Sequence, residues 1–110
     1  MRFFKKKSLI QIITTVPNIE TAQKLSQSLL ERKEAACIQQ VGPVTSQFRW
    51  QGKIETTEEY ILLIKTTQDN YPRIETTILN QHPYDCPEII ATPITTGLQS
   101  YLNWIQEEAN

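Results

Sequence analysis

The chain has few of the residues on which catalytic and nucleotide-binding motifs are built. Its 110 residues include three glycines and one histidine. Dinucleotide and phosphate-binding loops need closely spaced glycines, and hydrolytic triads need a histidine beside a nucleophile. None of these signatures occurs in the sequence. We therefore expect that the protein is not an enzyme.

The chain also lacks an excess of positive charge beyond its first residues. It has 11 Lys and Arg against 12 Asp and Glu, but four of the basic residues lie within the first seven positions. Residues 8–110 therefore hold seven basic and twelve acidic residues, a net charge of −5. Binding to nucleic acid or to anionic lipid depends on clustered positive charge. We expect neither nucleic acid nor a membrane as a partner.

Long apolar runs and cysteines are scarce as well. No run approaches the roughly 20 apolar residues of a membrane span, and the first residues lack the roughly 7 to 15 apolar residues of a secretory signal. Two cysteines, Cys37 and Cys86, are too few and too far apart for a disulfide framework or a zinc site. We expect free thiols in a cytoplasmic protein, with import of a longer precursor into an organelle left open.

Short apolar and polar segments alternate along the chain without a linker or a repeat. The isoleucine-rich residues 9–15 predict a strand that is buried on both faces. Asn18 can cap a helix through its side-chain oxygen. Apolar residues at spacings of three and four then predict that this helix runs over about 19–33.

Two long β arms follow. Cys37–Trp50 and Lys53–Thr67 are rich in β-branched and aromatic residues and predict two strands. Gln51-Gly52 predicts the tight turn between them, since glycine accepts a positive φ. Gly42-Pro43 predicts a bend or bulge in the first arm, where proline lacks an N–H.

The remaining residues complete the order of elements. Residues 69–81 predict a second helix with proline in its first turn, residues 88–94 a fourth strand, and the residues after Gly97 a short terminal helix. The order strand, helix, strand, strand, helix, strand predicts an α+β ferredoxin-like domain over 9–110. It has one antiparallel sheet with two helices on one face and an extra C-terminal helix. We expect the basic segment 1–8 to be flexible.

The hairpin is too long for such a domain. Its arms have about 14 and 15 residues, whereas strands usually have about 5 or 6. An overhang exposes apolar side chains and unpaired backbone groups, which natural proteins usually cover. Identical chains usually close in cyclic symmetry, so a homotrimer is expected, the alternative being a hairpin that curls over its own sheet. The expected interface residues are Val44, Phe48, Arg49, Trp50 and Lys53.

One stiff polar turn stands between the second helix and the fourth strand. It reads His82-Pro83-Tyr84-Asp85-Cys86-Pro87-Glu88-Ile89, and each of its prolines fixes φ and disfavours helix at the residue before it. Such a turn predicts either a binding site or simply the end of a helix. In the second case His82 bonds the last free carbonyls of that helix.

Several separated blocks occur in an order that is typical of one family. They are Ala35-Ala36-Cys37, Val41-Gly42-Pro43-Val44-Thr45-Ser46, Phe48-Arg49-Trp50-Gln51-Gly52-Lys53-Ile54, Lys65-Thr66, His82 to Ile89, and Tyr101-Leu102-Asn103-Trp104. From about residue 9 to 105 the chain resembles the CutA divalent-cation tolerance proteins. The resemblance implies a ferredoxin-like subunit, a homotrimer locked by its hairpins, an association with tolerance of copper and other divalent metals, and no established enzymatic reaction.

The resemblance implies only one of three copper ligands. Bacterial members for which copper ligation is proposed resemble this chain at His82, but they have a cysteine where Thr14 stands and a second histidine where Gln81 stands. Copper favours imidazole and thiolate donors, so Cys37 and Cys86 could substitute if the fold brings them to His82. Otherwise both thiols are packing residues. We expect no required cofactor and at most weak binding of copper or another divalent cation.

A second candidate site is a cleft between subunits. Trp50, Lys65, Tyr84 and Glu88 would line it, and it would hold a small anion or metabolite. Lys65 follows a buried apolar run, so its charge needs a partner. We expect that partner to be Glu88 or Glu59, of the same or of a neighbouring chain.

Other classes with this topology fit less well. An acylphosphatase needs a glycine-rich anion loop where this chain has Thr15-Val16-Pro17-Asn18. An RNA-recognition module needs exposed aromatic residues on its third strand, where residues 61–64 are aliphatic. PII-like trimeric regulators, which sense small molecules in a cleft between subunits, usually carry a long loop where Gln51-Gly52 stands. A PII-like sensor is the alternative function.

Overall fold

The computed structural model describes residues 7–110, so most of the basic segment 1–8 lies outside the described residues and its flexibility stays a prediction. The described residues form β1 (Leu9–Val16), α1 (Ile19–Glu31), β2 (Cys37–Trp50), β3 (Lys53–Thr67), α2 (Tyr71–Gln81), β4 (Ile89–Ile94) and α3 (Gln99–Glu108). A short 3-10 turn, Gln68–Asn70, precedes α2. None of the helices in this range has both the length and the apolar character that crossing a bilayer requires.

The four strands form one antiparallel sheet in the order β2-β3-β1-β4. β1 lies at its centre and pairs with β3 and β4, while β2 pairs only with β3. Residues 9–16 are all buried or half-buried, as expected for a strand between two others. The order of elements confirms the predicted α+β fold with ferredoxin-like topology and an extra C-terminal helix.

The main core lies between the sheet and the two helices α1 and α2. Because successive side chains of a strand point to opposite faces, alternate residues such as Ile12, Leu62 and Ile64 face the helices and are fully buried. They pack in one cluster with Leu25 of α1 and Ile74 of α2. Burying each of these side chains stabilises the fold by about 1.5–3 kcal/mol.

Helix α1 begins as predicted and ends two residues early. The side chain of Asn18 accepts a hydrogen bond from the backbone N–H of Thr21 (2.8 Å). The prediction that the helix runs to residue 33 is wrong, because Lys33 has a φ of 57°. This left-handed conformation breaks the helical repeat, and the next N–H, that of Glu34, bonds back to the carbonyl of Leu29.

The predicted irregularity at Gly42-Pro43 is a bulge that exchanges the two faces of β2. Val41 pairs with Ile61 and Val44 pairs with Glu59, so β2 advances by three residues where β3 advances by two. Gly42 has a φ of 149°, and a Cβ there would lie 2.8 Å from a ring carbon of Tyr60. The extra residue puts the even-numbered residues after the bulge on the face that odd-numbered residues occupy before it.

Only the inner half of the hairpin belongs to the packed sheet. β3 pairs with β1 over residues 60–67, while its residues 53–59 pair with β2 alone. We call residues 44–50 of β2 and 53–59 of β3 the outer hairpin. Its side chains Phe48 and Trp50 are 43% and 57% exposed, so the hairpin does not curl over its own sheet.

Helix α3 covers one end of the sheet face opposite α1 and α2. Ile38 packs against the main core, so its neighbour Cys37 points to the other face, where its thiol meets the hydroxyl of Tyr101. Burial, and next the hydrogen bond with that thiol, raises the pKa of Tyr101. Ile105 is fully buried, whereas Leu98, which precedes the first helical turn, is 73% exposed.

Candidate functional site

A groove of about 950 Å³ runs beside the outer hairpin. One wall is the hairpin face that carries Phe48 and Trp50, and the other is the turn that follows α2. The end of β1 contributes Thr15. The lining residues are Thr15, Ser46, Gln47, Phe48, Trp50, Glu55, Thr56, Thr57, Glu59, Tyr84, Asp85, Cys86 and Glu88.

His82 fixes the turn that forms the second wall. Its ring is 9% exposed; Nδ1 accepts a hydrogen bond from the backbone N–H of Tyr84 (3.0 Å), and Nε2 lies 2.7 Å from the carbonyl of Thr15. Because Nδ1 accepts, Nε2 carries the proton and donates it to that carbonyl. The ring therefore ties the turn to the end of β1 and does not bond the last carbonyls of α2, as the helix-end interpretation supposed.

Tyr84 reaches from the turn to the hairpin. Its hydroxyl donates a hydrogen bond to Glu59 Oε2 (3.2 Å), and Glu59 is only 6% exposed. Burial, and next the negative charge of Glu59, raises the pKa of Tyr84. Across the described chain the single salt bridge joins Arg73 to Glu34 (3.6 Å), so the buried carboxylate of Glu59 has no basic partner there.

Lys65 lies away from this groove. Its ammonium donates a hydrogen bond to Gln39 Oε1 (2.6 Å). Lys65 lies six residues from Glu59 along β3. Lys65 and Glu59 share the face opposite α1 and α2, since they are separated by an even number of residues. Within one chain the expected pairing of Lys65 with Glu59 or Glu88 is absent. A pairing with a neighbouring chain stays a prediction.

The predicted metal donors do not converge. Cys37 is half-buried near α3, and Cys86 is exposed in the wall of the groove. Among residues 7–110, no three His, Cys, Asp or Glu side chains are placed to hold a metal ion. Thr14 Oγ1 and Gln81 Oε1 are buried without a hydrogen-bond partner. Since both ring nitrogens of His82 already have partners, one chain does not present a built copper site.

The structure brings together three of the four predicted cleft residues. Trp50, Tyr84 and Glu88 line the groove, and Lys65 does not.

Of the predicted interface residues Val44 is half-buried, and the other four, Phe48, Arg49, Trp50 and Lys53, are exposed. Asp85 of the predicted turn and Glu55 of β3 also line the groove, although neither was among the four predicted cleft residues. A pattern in the sequence could have identified the hairpin wall of the groove. Because alternate residues of a strand share a face, Glu55, Thr57 and Glu59 predict one polar, acidic face of β3.

Comparison with known proteins gives a consistent family. The CutA1 divalent ion tolerance protein family matches residues 10–108. A divalent-cation tolerance protein CutA from Thermus thermophilus is 40% identical over 96 residues, which are 87% of this chain and 93% of that protein. The chloroplastic protein CutA of Arabidopsis thaliana is 39% identical over 97 residues, 88% of this chain and 53% of that longer protein. The crystal structure of CutA1 from Oryza sativa has a TM-score of 0.93 at 34% identity, with 96% of each chain covered.

These matches include every part of the site. Residues 10–108 run from β1 to the end of α3, so they contain the packed sheet, the outer hairpin and the turn at His82. The fold agrees over nearly the whole chain with a solved structure that shares about a third of its residues. The chain therefore belongs to the CutA1 divalent ion tolerance protein family.

Proposed function

We propose that the protein acts as a homotrimer in the tolerance of divalent cations, by binding and without catalysis. The observation that carries the proposal is the outer hairpin, most of whose residues are exposed in the single chain. The names of its CutA relatives supply the link to divalent cations. The PII-like alternative is supported by the groove, which has the size of a small-molecule site.

Exposed strand edges support self-association. β2 and β4 are the outer strands of the sheet, and their outer edges present backbone groups that other chains can pair with. A contact between the β2 edge of one copy and the β4 edge of the next uses two different surfaces. Contacts of that kind close into a ring, and the smallest ring is a trimer.

Apolar residues on the open sheet face support it as well. Ile13, Ile61 and Leu63 are only half-buried, and Val41 and Ile90 are 44% and 52% exposed. All lie on the face that α3 covers only at one end. Contiguous apolar surface of this kind marks an interaction site, and burial between copies would stabilise the assembly in proportion to the apolar area removed from water.

Charge on the same face favours the same arrangement. Lys65 has one neutral partner, Gln39, and Glu59 has one neutral partner, Tyr84. Neither has a group of opposite charge in the described chain. A neighbouring copy that brings Lys65 to Glu59 or Glu88 would neutralise both, which is how buried charges are usually accommodated.

We expect metal binding to be weak. For His82 to ligate copper, its ring must give up the bond to the Thr15 carbonyl or the bond from the Tyr84 N–H. A hydrogen bond of this type contributes about 0.5–1.5 kcal/mol, and that cost subtracts from the binding free energy. Cys86, exposed at the groove, is the accessible thiol that copper would meet first.

Light scattering tests the assembly. We expect a mass of three times the 12.7 kDa chain at micromolar protein and physiological salt. Trp50→Glu should dissociate the trimer, because it places a charge on the exposed hairpin face. Leu79→Glu is the matched control, since Leu79 is a similarly exposed apolar residue on α2 (49%). A single-chain mass for the wild type, or an intact trimer in Trp50→Glu, contradicts the proposed role of the hairpin.

Titration calorimetry with Cu²⁺ tests the metal. We expect weak saturable binding that His82→Ala removes, with Cys86→Ser as the parallel variant for the exposed thiol. A thermal melt of each variant separates loss of a ligand from loss of the turn. Unchanged binding in His82→Ala rejects His82 as a ligand, and the absence of saturable binding in the wild type rejects the copper part of the proposal.

We also propose a cytoplasmic location. One relative is named as a chloroplastic protein, and this chain spans 53% of its length. Cell fractionation with an antibody to this chain tests the location directly. Enrichment in an organelle or in the periplasm would reject it.

A further inference from the structure

Helix α3 lacks the features that hold the other two helices on the sheet. In α1 the side chain of Asn18 caps the first turn, and three residues of the helix are buried. Helix α2 has a proline in its first turn and also buries three. In α3 Ile105 alone is buried, and the N-cap residue Leu98 makes no side-chain cap within the described chain. We propose that α3 is a strap that detaches from the sheet while the rest of the domain stays folded, and so controls access to the surface beneath it.

The charges of α3 oppose helix formation. Its first turn holds no acidic residue and its last turn no basic residue, and Glu107 and Glu108 lie at its C-terminal end instead. Carboxylates are unfavourable there, because the last backbone carbonyls carry partial negative charge. One contact within the helix, from Gln99 Nε2 to Asn103 Oδ1 (2.8 Å), adds only weak support. A helix of ten residues is marginal by itself, so α3 depends on its contacts with the rest of the chain.

Two hydrogen bonds tie the C-terminal end of α3 to other elements. Arg73 Nη1 of α2 donates to the backbone oxygen of Asn110 (3.2 Å), and Gln106 Nε2 donates to the carbonyl of Lys7 (3.3 Å). Both bonds lie at the surface, where water can replace either partner at little net cost. Beyond these bonds α3 is held mainly by the burial of Ile105. Such an element belongs to the low-stability end of a fold, where local opening occurs without global unfolding.

The surface under α3 carries two polar groups. The thiol of Cys37 meets the hydroxyl of Tyr101. Thr67 shares with Lys65 the face that α3 covers, and its hydroxyl is buried without a hydrogen-bond partner among the described residues. A buried polar group without a partner costs free energy that is recovered when water enters. Detachment of α3 therefore hydrates Thr67 and uncovers the Cys37 thiol.

Labelling of the two thiols with iodoacetamide, a neutral reagent, tests the proposal on the full chain. Cys86 is exposed and Cys37 is half-buried. Cys86 should react as a free thiol does and is the internal control in every variant, while Cys37 should react slowly, through the open form. In the same buffer, amide hydrogens of α3 should exchange at least tenfold faster than those of α2. Mass spectrometry of peptides measures both quantities.

Leu98→Asp should hold α3 on the sheet. Leu98 has the extended backbone of an N-cap residue, and an aspartate there can accept a hydrogen bond from the first turn and adds a favourable charge. We expect Cys37 to react about fivefold more slowly, as for the gain of one N-cap. Leu98→Ala is the matched control, because it removes the same side chain, 73% exposed, without supplying a cap. Its rate should change by less than about twofold.

Arg73→Gln should release α3. The variant loses the charged donor to Asn110, and Cys37 should react about tenfold faster, as for the loss of one hydrogen bond to a charged group. Because Arg73 also pairs with Glu34 (3.6 Å), a urea titration must measure global stability beside it. Gln106→Ala loses only the bond to the Lys7 carbonyl. It should raise the Cys37 rate by about threefold without a change in the urea midpoint.

The outcomes separate local opening from its alternatives. A Cys37 rate that falls in Leu98→Asp and rises in Gln106→Ala, while Cys86 stays unchanged, supports the proposal. A Cys37 rate that is the same in all variants shows that the reagent reaches this thiol without opening, and overturns it. Equal exchange of α2 and α3, with a Cys37 rate that follows global unfolding, shows one cooperative unit and also overturns it. So does complete protection of Cys37 in the folded protein.

Discussion

The inner and outer halves of the hairpin are the same two strands in opposite surroundings. In the inner half, Leu62 and Ile64 are fully buried under α1 and α2. In the outer half, Ile54 and Trp50 are 73% and 57% exposed. Apart from the bulge at Gly42-Pro43, strand pairing continues to Trp50 and Lys53. Hydrogen bonding therefore extends a strand pair well beyond its core, but burial depends on what lies over each face.

The boundary between the halves is the bulge at Gly42. Without the extra residue, Phe48 and Trp50 would stand on the face of α1 and α2, and Arg49 would stand in their place toward the groove. The bulge instead aligns two aromatic rings with Glu55 on the open face. A single inserted residue thus decides whether the outer hairpin is apolar or basic toward the groove.

The largest expected effect breaks the inner half. Ile64→Ala should lower the free energy of unfolding by about 2–5 kcal/mol, because it leaves a cavity in a fully packed core. Ile54→Ala makes the same change in chemistry at a side chain that is 73% exposed. Within one chain it should change stability by less than about 0.5 kcal/mol. Urea titration at fixed protein concentration measures both variants.

Ile64→Ala and Ile54→Ala also test whether copies of the chain associate through the outer half of the hairpin. Where a second copy covers the outer hairpin, the cost of Ile54→Ala should rise with protein concentration, since binding stabilises the folded form by mass action. The cost of Ile64→Ala should keep its large value at every concentration. Equal costs for the two variants would contradict the difference between the halves.

A smaller effect is expected at the bulge. Gly42→Ala places a Cβ 2.8 Å from the Tyr60 ring and 3.1 Å from the Glu59 carbonyl oxygen, at a φ of 149°. We expect a loss of about 1–3 kcal/mol from this backbone strain, together with a shift of the outer register that changes near-ultraviolet circular dichroism of Trp50. Gly52→Ala is the control, since its φ is also positive (77°) but no atom lies within 4 Å of the added Cβ. It should cost only about 1–2 kcal/mol and leave the register unchanged.

Sequence patterns predicted the strands better than the helix ends. β2 and β3 have the predicted bounds, because β-branched runs, the bulge glycine and the turn glycine all mark the same arms. Helix α1 ends early, at Glu31, because Lys33 has a positive φ, for which lysine has no intrinsic preference. The next residue, Glu34, is held by a tertiary contact, since its carbonyl accepts a hydrogen bond from the Thr66 hydroxyl (2.6 Å), and sequence periodicity does not report such a contact.

The candidate site was predictable in part for the same reason. Trp50 borders the Gln51-Gly52 turn, and Tyr84 and Glu88 lie in the proline-rich turn after α2, so all three were identified from the sequence. Lys65 was assigned to the same cleft, but its distance from the groove depends on the position along β3 at which the outer hairpin begins. The role of His82 depends on a carbonyl 67 residues away, and no local pattern predicts such a contact.

The smallest expected effect concerns the contact that joins the turn to the outer hairpin. Tyr84→Phe removes the hydroxyl that donates to Glu59 Oε2 and should cost about 1 kcal/mol at pH 7, mostly from the carboxylate left without a donor.

The folded-state pKa of Tyr84 is raised, by burial and then by Glu59, so the folded chain holds this proton more tightly than the unfolded chain. Its stabilising contribution is complete below the ordinary tyrosine pKa near 10 and is lost as the pH rises through the folded-state value. Thermal melts between pH 8 and pH 11 should therefore fall less steeply for Tyr84→Phe than for the wild type, with Tyr60→Phe as the control. Parallel profiles of melting temperature against pH for Tyr84→Phe and the wild type would show that this hydroxyl does not couple the two walls of the groove.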